Sequence, residues 1–123
     1  MKTPQLRNVP LRKLYERFIF ASVDQHKSLI TGDHARYNRL FEEVNDIKQE
    51  LKRRGEDERR ALVSLFSDPN AQVRLNAAIA TLALEPEAAR QALQLISDRN
   101  EYPQAPYARD TLWALDKGTY KPS

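Results

Sequence analysis

Few side chains of this sequence have the chemistry of a metal site. Histidine occurs only as His26 and His34, with Asp24 and Asp33 close by in the chain. Two imidazoles and a carboxylate can bind a metal ion, but a separation of eight residues across a predicted turn is no known ligand spacing, and a third strong ligand is missing. We therefore expect no metal and no cofactor.

Catalytic signatures are also missing from the sequence. It contains no Ser/His/Asp arrangement around a nucleophile, no Gly-rich phosphate loop and no His-Glu-x-x-His motif. The carboxylates of residues 42–43 and 56–58 lie in charged surroundings, which predicts exposed positions rather than a pocket. Because catalytic groups need a concave site that shifts their pKa, we expect no catalytic residues and no enzymatic activity.

The sequence contains clearer candidates for residues that bind a partner than for catalytic residues. Arginine, tyrosine and tryptophan, the types enriched at interface hot spots, cluster near a long loop late in the chain, and loops of this length often bind partners. The candidate partner-binding residues are Arg74, Tyr102, Tyr107, Arg109 and Trp113. Two alternatives stay open: Tyr107 and Trp113 can fill the last layer of the core, and Arg74 can lock the structure by pairing with an acid.

A basic cluster around Gly55 suggests a different class of partner. It consists of Lys52, Arg53, Arg54, Arg59 and Arg60. Residues 1–60 also contain 14 Lys and Arg against 10 Asp and Glu. Phosphate contacts would make this part of the chain, with the cations of the first helix, a nucleic-acid-binding module. The acidic residues 56–58 interrupt the cluster, however, and both signs of charge suit the helix ends predicted there.

Composition limits the kind of protein in which these residues lie. The chain has 123 residues, no cysteine and 30% charged residues. It contains no disulfide framework, and it shows neither an apolar run long enough to span a membrane nor the apolar segment of a secretory signal. We expect one all-α domain in the cytoplasm, with no membrane partner.

The first half of the chain predicts a long antiparallel helical hairpin over residues 10–54. Its first helix should run from Pro10 to about Ile30, with Asn8 as a possible cap and with Phe20 widening the apolar stripe enough to suggest burial on two sides. Asp33 should cap the second helix, whose apolar residues follow a/d spacing. Glycine C-caps in the left-handed conformation are expected at Gly32, Gly55 and Gly118.

Four shorter helices are predicted over residues 56–118. The third begins in the acidic residues 56–58 and contains Leu62, Leu65 and Phe66; the fourth follows the turn at residues 68–70. The fifth should run from Pro86 to about Asp98. The sixth should start near Pro106, bury Trp113 with its other apolar residues and end at Gly118, leaving residues 119–123 as a frayed tail.

The third to sixth helices contain an internal repeat. Residues 65–68 read Leu-Phe-Ser-Asp and residues 95–98 read Leu-Ile-Ser-Asp, and each copy then has an arginine near the start of its second helix, Arg74 and Arg109. A longer loop at residues 100–106 separates the helices of the second copy, where repeat proteins accept insertions.

These residues resemble HEAT-type repeats, in which a leucine-rich helix, an Asp/Pro turn, Val-Arg and then alanines recur. In the first copy the matching residues are Leu62, Leu65, Asp68, Pro69, Val73, Arg74, Ala77, Ala78 and Leu82. In the second copy only Asp98, Ala108, Arg109 and Leu112 match, and Trp113 departs from the pattern. The resemblance implies that Asp68–Arg74 and Asp98–Arg109 are structural contacts.

The whole pattern also resembles a small bacterial family of domains of unknown function on a HEAT-like scaffold. The resemblance implies an all-α fold in which the N-terminal hairpin precedes two HEAT-like helix pairs, a short right-handed α-α superhelix. It transfers no catalytic site. It also implies no particular activity. Because helix pairs of this kind form surfaces for partners, we expect a protein that binds another protein, as an adaptor, a regulator or an immunity-like inhibitor.

Overall fold

A computed structural model describes residues 3–123, with side chains from residue 6 onward. Six α-helices follow one another: α1 (Leu11–Thr31), α2 (His34–Arg54), α3 (Glu56–Arg60), α4 (Ala71–Thr81), α5 (Pro86–Asp98) and α6 (Ala105–Lys117). Two 3₁₀ helices span Thr3–Asn8 and Ala61–Ser67. Residues 3–123 contain no strand, so the prediction of an all-α fold is confirmed. Two compact units divide the chain, the first ending at Ala61 and the second beginning at Leu62.

The first unit contains the predicted hairpin, in which α1 packs against α2. The turn forms as its sequence predicts: Gly32 adopts the left-handed conformation at φ 78°, and Asp33 accepts the backbone N–H of Arg36 at 3.1 Å as the N-cap of α2. Helix α1 differs at its start, because Pro10 is its N-cap without a side-chain hydrogen bond. The predicted cap, Asn8, instead ends the preceding 3₁₀ helix.

Leu14 and Phe18 of α1 and Ile47 and Leu51 of α2 are fully buried. Phe20, however, is 74% exposed, so the expected burial of α1 on two sides is wrong for this residue. Two residues correspond to a rotation of about 200° around a helix. Phe20 therefore points away from the side that buries Phe18.

Gly55 links α2 to α3 without the left-handed conformation predicted for it. Its φ of 147° and ψ of 166° are extended, with a positive φ that favours glycine. The Gly55 N–H donates to the carbonyl of Leu51, and its own carbonyl accepts from the N–H of Arg59. Gly55 is thus both the C-cap of α2 and the N-cap of α3. This double role requires an extended residue rather than a left-handed C-cap.

The predicted third helix consists of an α-helix followed by a 3₁₀ helix. Helix α3 has five residues, and the chain continues as the seven-residue 3₁₀ helix Ala61–Ser67. A 3₁₀ helix aligns residues three apart. Over so short a stretch, the spacing of Leu62 and Leu65 fits both helix types, so the sequence pattern could not separate them.

The second unit is built on α4, α5 and α6, with α5 packed against both of the others. Helix α5 has the predicted bounds. Apolar residues of the three helices form its core: Leu75, Ala78, Leu82, Ala89, Ala92, Leu93, Ile96 and Ala108. On α5, Ala89, Ala92, Leu93 and Ile96 follow the helical spacing that puts apolar residues on one buried face.

The end of α6 departs from the prediction at two places. Trp113 was expected in the core but is 61% exposed. Tyr120 lies instead against the core, and the backbone N–H groups of Thr119 and Tyr120 both donate to the carbonyl of Ala114. The first two residues of the predicted tail are therefore hydrogen-bonded to α6. No helix of the described residues is both long and apolar enough to cross a membrane.

Candidate partner-binding site

The start of α4 is fixed by side chains of the preceding turn. The Asp68 carboxylate accepts the backbone N–H of Asn70 at 2.8 Å. The Asn70 side chain then accepts the N–H groups of Gln72 at 2.8 Å and Val73 at 3.2 Å, the geometry of an N-cap. The turn therefore places Arg74, in the first turn of α4, against its own backbone.

The Arg74 guanidinium is bonded inside the second unit. It donates to the carbonyls of Asp68 at 2.7 Å and Pro69 at 3.3 Å. Both of its terminal nitrogens also donate to the Glu101 carboxylate at 2.7 Å, a bidentate pair. The hydrogen bond from Arg74 lowers the pKa of Glu101, although partial burial opposes the shift. Arg74 itself is only 9% exposed, which supports its structural role over partner recognition.

Of the two contacts that the resemblance to HEAT repeats implied, Asp68–Arg74 is present and Asp98–Arg109 is not. Arg74 bonds the carbonyl of Asp68 rather than its carboxylate, which is used within the turn. The expected Asp98–Arg109 contact is wrong, because Asp98 accepts from the Gln94 side chain. Arg109 donates instead to the Ser97 hydroxyl and carbonyl and to the Asn100 side chain, all within 3.1 Å.

A groove of about 360 Å³ lies between the turn before α4 and the face of α5. We call it the α5 groove, and its walls include Phe66, Pro69, Arg74, Leu95 and Arg99. Leu95 is 48% exposed. The sequence analysis named Arg74 alone among these residues. The spacing of Leu95 and Arg99, four residues apart at the C-terminal end of α5 and its C-cap, was the signal that could have added them.

Tyr102 projects from the loop between α5 and α6 and is 77% exposed. Its loop is held from two sides: Glu101, the preceding residue, pairs with Arg74, and Arg109 binds the carbonyl of Ser97 and the side chain of Asn100. Asn100 also adopts a positive φ of 52°, a conformation that asparagine tolerates better than most residues. An exposed aromatic ring therefore extends from an anchored backbone.

Three residues share one side of α6, and we call them the α6 face: Arg109, Trp113 and Lys117, at successive i, i+4 positions. The Lys117 ammonium lies 5.6 Å from the centroid of the Trp113 ring, within cation–π distance. Trp113 is 61% exposed, and Arg109 has no carboxylate partner among the described residues. Such a face offers an apolar anchor between two positive charges.

Tyr107 does not belong to the α6 face. It lies two residues before Arg109 on α6, about 200° around the helix. Tyr107 is 43% exposed. Burial raises the pKa of Tyr120, and the nearby Tyr107 raises it further. The five predicted partner-binding residues therefore separate into a buried arginine, an exposed loop tyrosine, a pair on α6 and a tyrosine on its other side.

Most cations of the predicted nucleic-acid cluster have acidic partners nearby. The Glu50 carboxylate is 4% exposed and accepts from Arg53 and Arg54, both at 2.7 Å. Arg60 pairs with Asp57 at 3.1 Å, and Arg59 is only 5% exposed. Lys52 is exposed. The cluster is therefore less available to phosphate groups than its sequence indicates.

The acids near the two histidines have other partners. Asp24 pairs with Arg36 at 2.9 Å, and Asp33 caps α2. Within the described part of the chain, no group of three His, Cys, Asp or Glu side chains is placed to hold a metal ion.

Comparison with known proteins identifies the family. The model of the family described as "Domain of unknown function (DUF2019)" matches residues 12–116, so the chain belongs to this family. The crystal structure of the protein RPA1889 from Rhodopseudomonas palustris CGA009 is similar, with a TM-score of 0.92 and 42% sequence identity. The similarity covers 96% of this chain and 98% of that one. No curated protein matches the chain.

Proposed function

We propose that this DUF2019 member is a non-enzymatic, HEAT-like helical domain that binds a protein partner through the α6 face and Tyr102. The observation behind the proposal is the exposure of Trp113 and Tyr102, 61% and 77%, on backbone held by hydrogen bonds. Its role would be that of an adaptor, a regulator or an immunity-like inhibitor in the bacterial cytoplasm.

The similar backbone contacts of two arginines support the HEAT-like part of the proposal. Arg74 donates to the carbonyl of Asp68, and Arg109 donates to the carbonyl of Ser97. Each bond ties the first turns of one helix to the backbone at the end of the preceding one, with the acceptors offset by one position, because Asp68 aligns with Asp98 and Ser97 aligns with Ser67. A shared cross-link of this kind is expected of repeated helix pairs, which would stack as a short superhelix.

The energetics of association favour such a site. A tryptophan and a tyrosine supply large contact areas with few rotatable bonds, so little conformational entropy is lost when a partner covers them. The bonds from Arg109 to Ser97 and Asn100 and the Arg74–Glu101 pair fix the loop before binding. Preorganisation of this kind improves affinity by lowering the ordering cost.

The proposal can be tested by affinity capture of partners from cells of the bacterium that produces this protein. Tagged wild-type chain, Trp113→Ala and Tyr102→Ala would be compared with Phe41→Ala, a matched control for an exposed aromatic, 47% exposed on α2. We expect one protein to be enriched by wild type and by the control, and to fall roughly tenfold or more in the other two variants. Equal capture by all four chains would contradict the proposal.

Nucleic-acid binding is the alternative, and the positive excess in residues 1–60 favours it. The distinguishing measurement is salt dependence. Affinity for nucleic acid should fall with a slope of about −0.7 to −0.9 in log salt for each neutralised phosphate, whereas an interface centred on Trp113 should respond weakly. A steep slope that becomes flatter in Lys52→Gln would support the alternative.

A further inference from the structure

The first unit has a groove of its own beside the start of α1. Its volume is about 400 Å³, and its walls include Val9, Pro10, Lys13, Glu16, Arg17 and Phe20. We call it the α1 groove. Phe20, at the edge of this groove, is 74% exposed. Apolar and cationic side chains therefore line the same open space, and none of them belongs to the α6 face.

One wall of the α1 groove is fixed by a partly buried ion pair. Arg54 donates to the carbonyls of Leu6 at 2.9 Å and Val9 at 2.6 Å, and so holds the segment before α1. Arg54 is itself bonded to Glu50 at 2.7 Å, and the Glu50 side chain is 4% exposed. The wall that contains Val9 and Pro10 is thus formed before any ligand arrives, which reduces the cost of binding.

The charges of the α1 groove are unbalanced. Lys13 and Arg17 are one helical turn apart and exposed, and neither makes an ion pair or hydrogen bond among the described residues. Glu16, the acid between them, is already paired with Arg12 at 3.0 Å. Like charges at i, i+4 repel each other on a helix. The first turn of α1 also contains no acidic side chain. An anionic ligand would relieve the repulsion between Lys13 and Arg17.

We infer that the α1 groove docks an acidic segment of a protein partner. Carboxylates of the segment pair with Lys13 and Arg17, and a large apolar side chain lies against Phe20 and Pro10. A peptide fits this lining better than a nucleic acid, because single strands bind along grooves with several aromatic rings and a continuous line of cations. The α1 groove has one ring, two unpaired cations and an apolar wall.

Fluorescence anisotropy tests the inference with a labelled synthetic peptide that places a phenylalanine between two pairs of glutamates. Two matched peptides replace the glutamates by glutamine or the phenylalanine by alanine. Wild-type chain should bind the first peptide roughly tenfold more tightly than either matched peptide. The double variant Lys13→Glu/Arg17→Glu and the single variant Phe20→Ala should each lose roughly tenfold in affinity.

Lys27→Glu is the control, because Lys27 is an exposed cation of α1 that does not line the α1 groove. Circular dichroism should show native helix content in every variant, since all the altered side chains are exposed. Three outcomes would overturn the inference: no binding of the glutamate peptide at millimolar concentration, equal affinity for the glutamine peptide, or an equal loss in Lys27→Glu. Tighter binding of an oligothymidylate that displaces the peptide would assign the α1 groove to nucleic acid instead. Trp113→Ala should leave peptide affinity unchanged, so this test can fail independently of the proposed function.

Discussion

At the scale of single residues, Arg74 connects two loops of the second unit. Its four hydrogen bonds join the turn before α4 to the loop before α6. Removal of one member of such a pair leaves the other charge without compensation. Because the side chains of Arg74 and Glu101 are 11% and 23% exposed, we expect Arg74→Ala to lower the free energy of unfolding by roughly 2–4 kcal/mol in urea denaturation.

Arg90→Ala provides the comparison for Arg74→Ala. Arg90 pairs with Asp116 at a similar distance, 3.0 Å, but the two side chains are 41% and 69% exposed. An exposed pair contributes at most about 1 kcal/mol, so this variant should be nearly as stable as wild type. If Arg74→Ala had wild-type stability but no longer bound the partner, Arg74 would belong to the binding site instead.

The Glu50 carboxylate predicts a pH dependence of stability. Hydrogen bonds from Arg53 and Arg54 lower its pKa from 4.5 to about 2, and burial opposes the shift. Because the pKa is lower in the folded state than in the unfolded state, the ionised carboxylate stabilises the fold above pH 4.5, and this stabilisation is lost as the pH falls towards 2. Glu50→Gln should therefore be less stable than wild type at neutral pH, and the difference should disappear near pH 2.

Denaturant titrations of both chains across that pH range would measure the effect of Glu50. Glu16→Gln is the control, since the Glu16 side chain is 52% exposed and its pair with Arg12 is on the surface. It should follow the wild-type curve. A constant difference between Glu50→Gln and wild type at every pH would show that the carboxylate charge is not the stabilising feature.

Predictions for single residues were correct where a side chain hydrogen-bonds to backbone groups close to it in sequence. Asp33 was predicted as a cap and is one, because an N-cap needs only a backbone N–H two or three residues later. The acid partner of Arg74 was missed because Glu101 is 27 residues away. A pairing across a loop depends on the path of that loop, which residue spacing does not encode. Whether Trp113 lies in the core or at a binding surface stayed open in the sequence, because an aromatic residue on a helical stripe fits either place.

At the scale of elements, the α2–α3 junction depends on Gly55. A Cβ at this position would lie 2.5 Å from the Oε1 atom of Glu58, and the φ of 147° is one that other residues rarely adopt. We expect Gly55→Ala to lower the free energy of unfolding by roughly 1–3 kcal/mol, measured by urea denaturation. In Gly55→Ala/Glu58→Ala only part of this loss should be recovered, because the backbone strain remains. Full recovery would show that the side-chain contact alone was responsible.

The predicted elements were most accurate where capping and amphipathicity agree. Helix α5 begins at Pro86, a residue suited to the first helical turn, and its apolar residues follow one stripe, so both of its bounds were predicted. The Ala61–Ser67 segment has no such signals, and its 3₁₀ geometry was not predicted. The two grooves were also missed, because each is lined by residues from separate elements.

At the scale of the whole molecule, the two units have different kinds of exposed surface. The first has the α1 groove, with unpaired cations beside Phe20. The second has the α6 face, where the one tryptophan of the chain lies beside Lys117. The similar crystal structure shares the fold, and the family is described only as a domain of unknown function.

The intrinsic fluorescence of Trp113 allows a prediction about the whole molecule to be tested without a label. It is the only tryptophan and is 61% exposed, so intrinsic fluorescence should show a water-exposed indole in the folded chain, quenched readily by acrylamide. Partner binding at the α6 face should shift the emission to shorter wavelength and reduce quenching, because a hot-spot residue is desolvated in a complex. The acidic peptide at the α1 groove should change neither quantity. An indole already shielded in the free chain would contradict the exposed α6 face, and a bound partner that left Trp113 as accessible as before would exclude this residue from the interface.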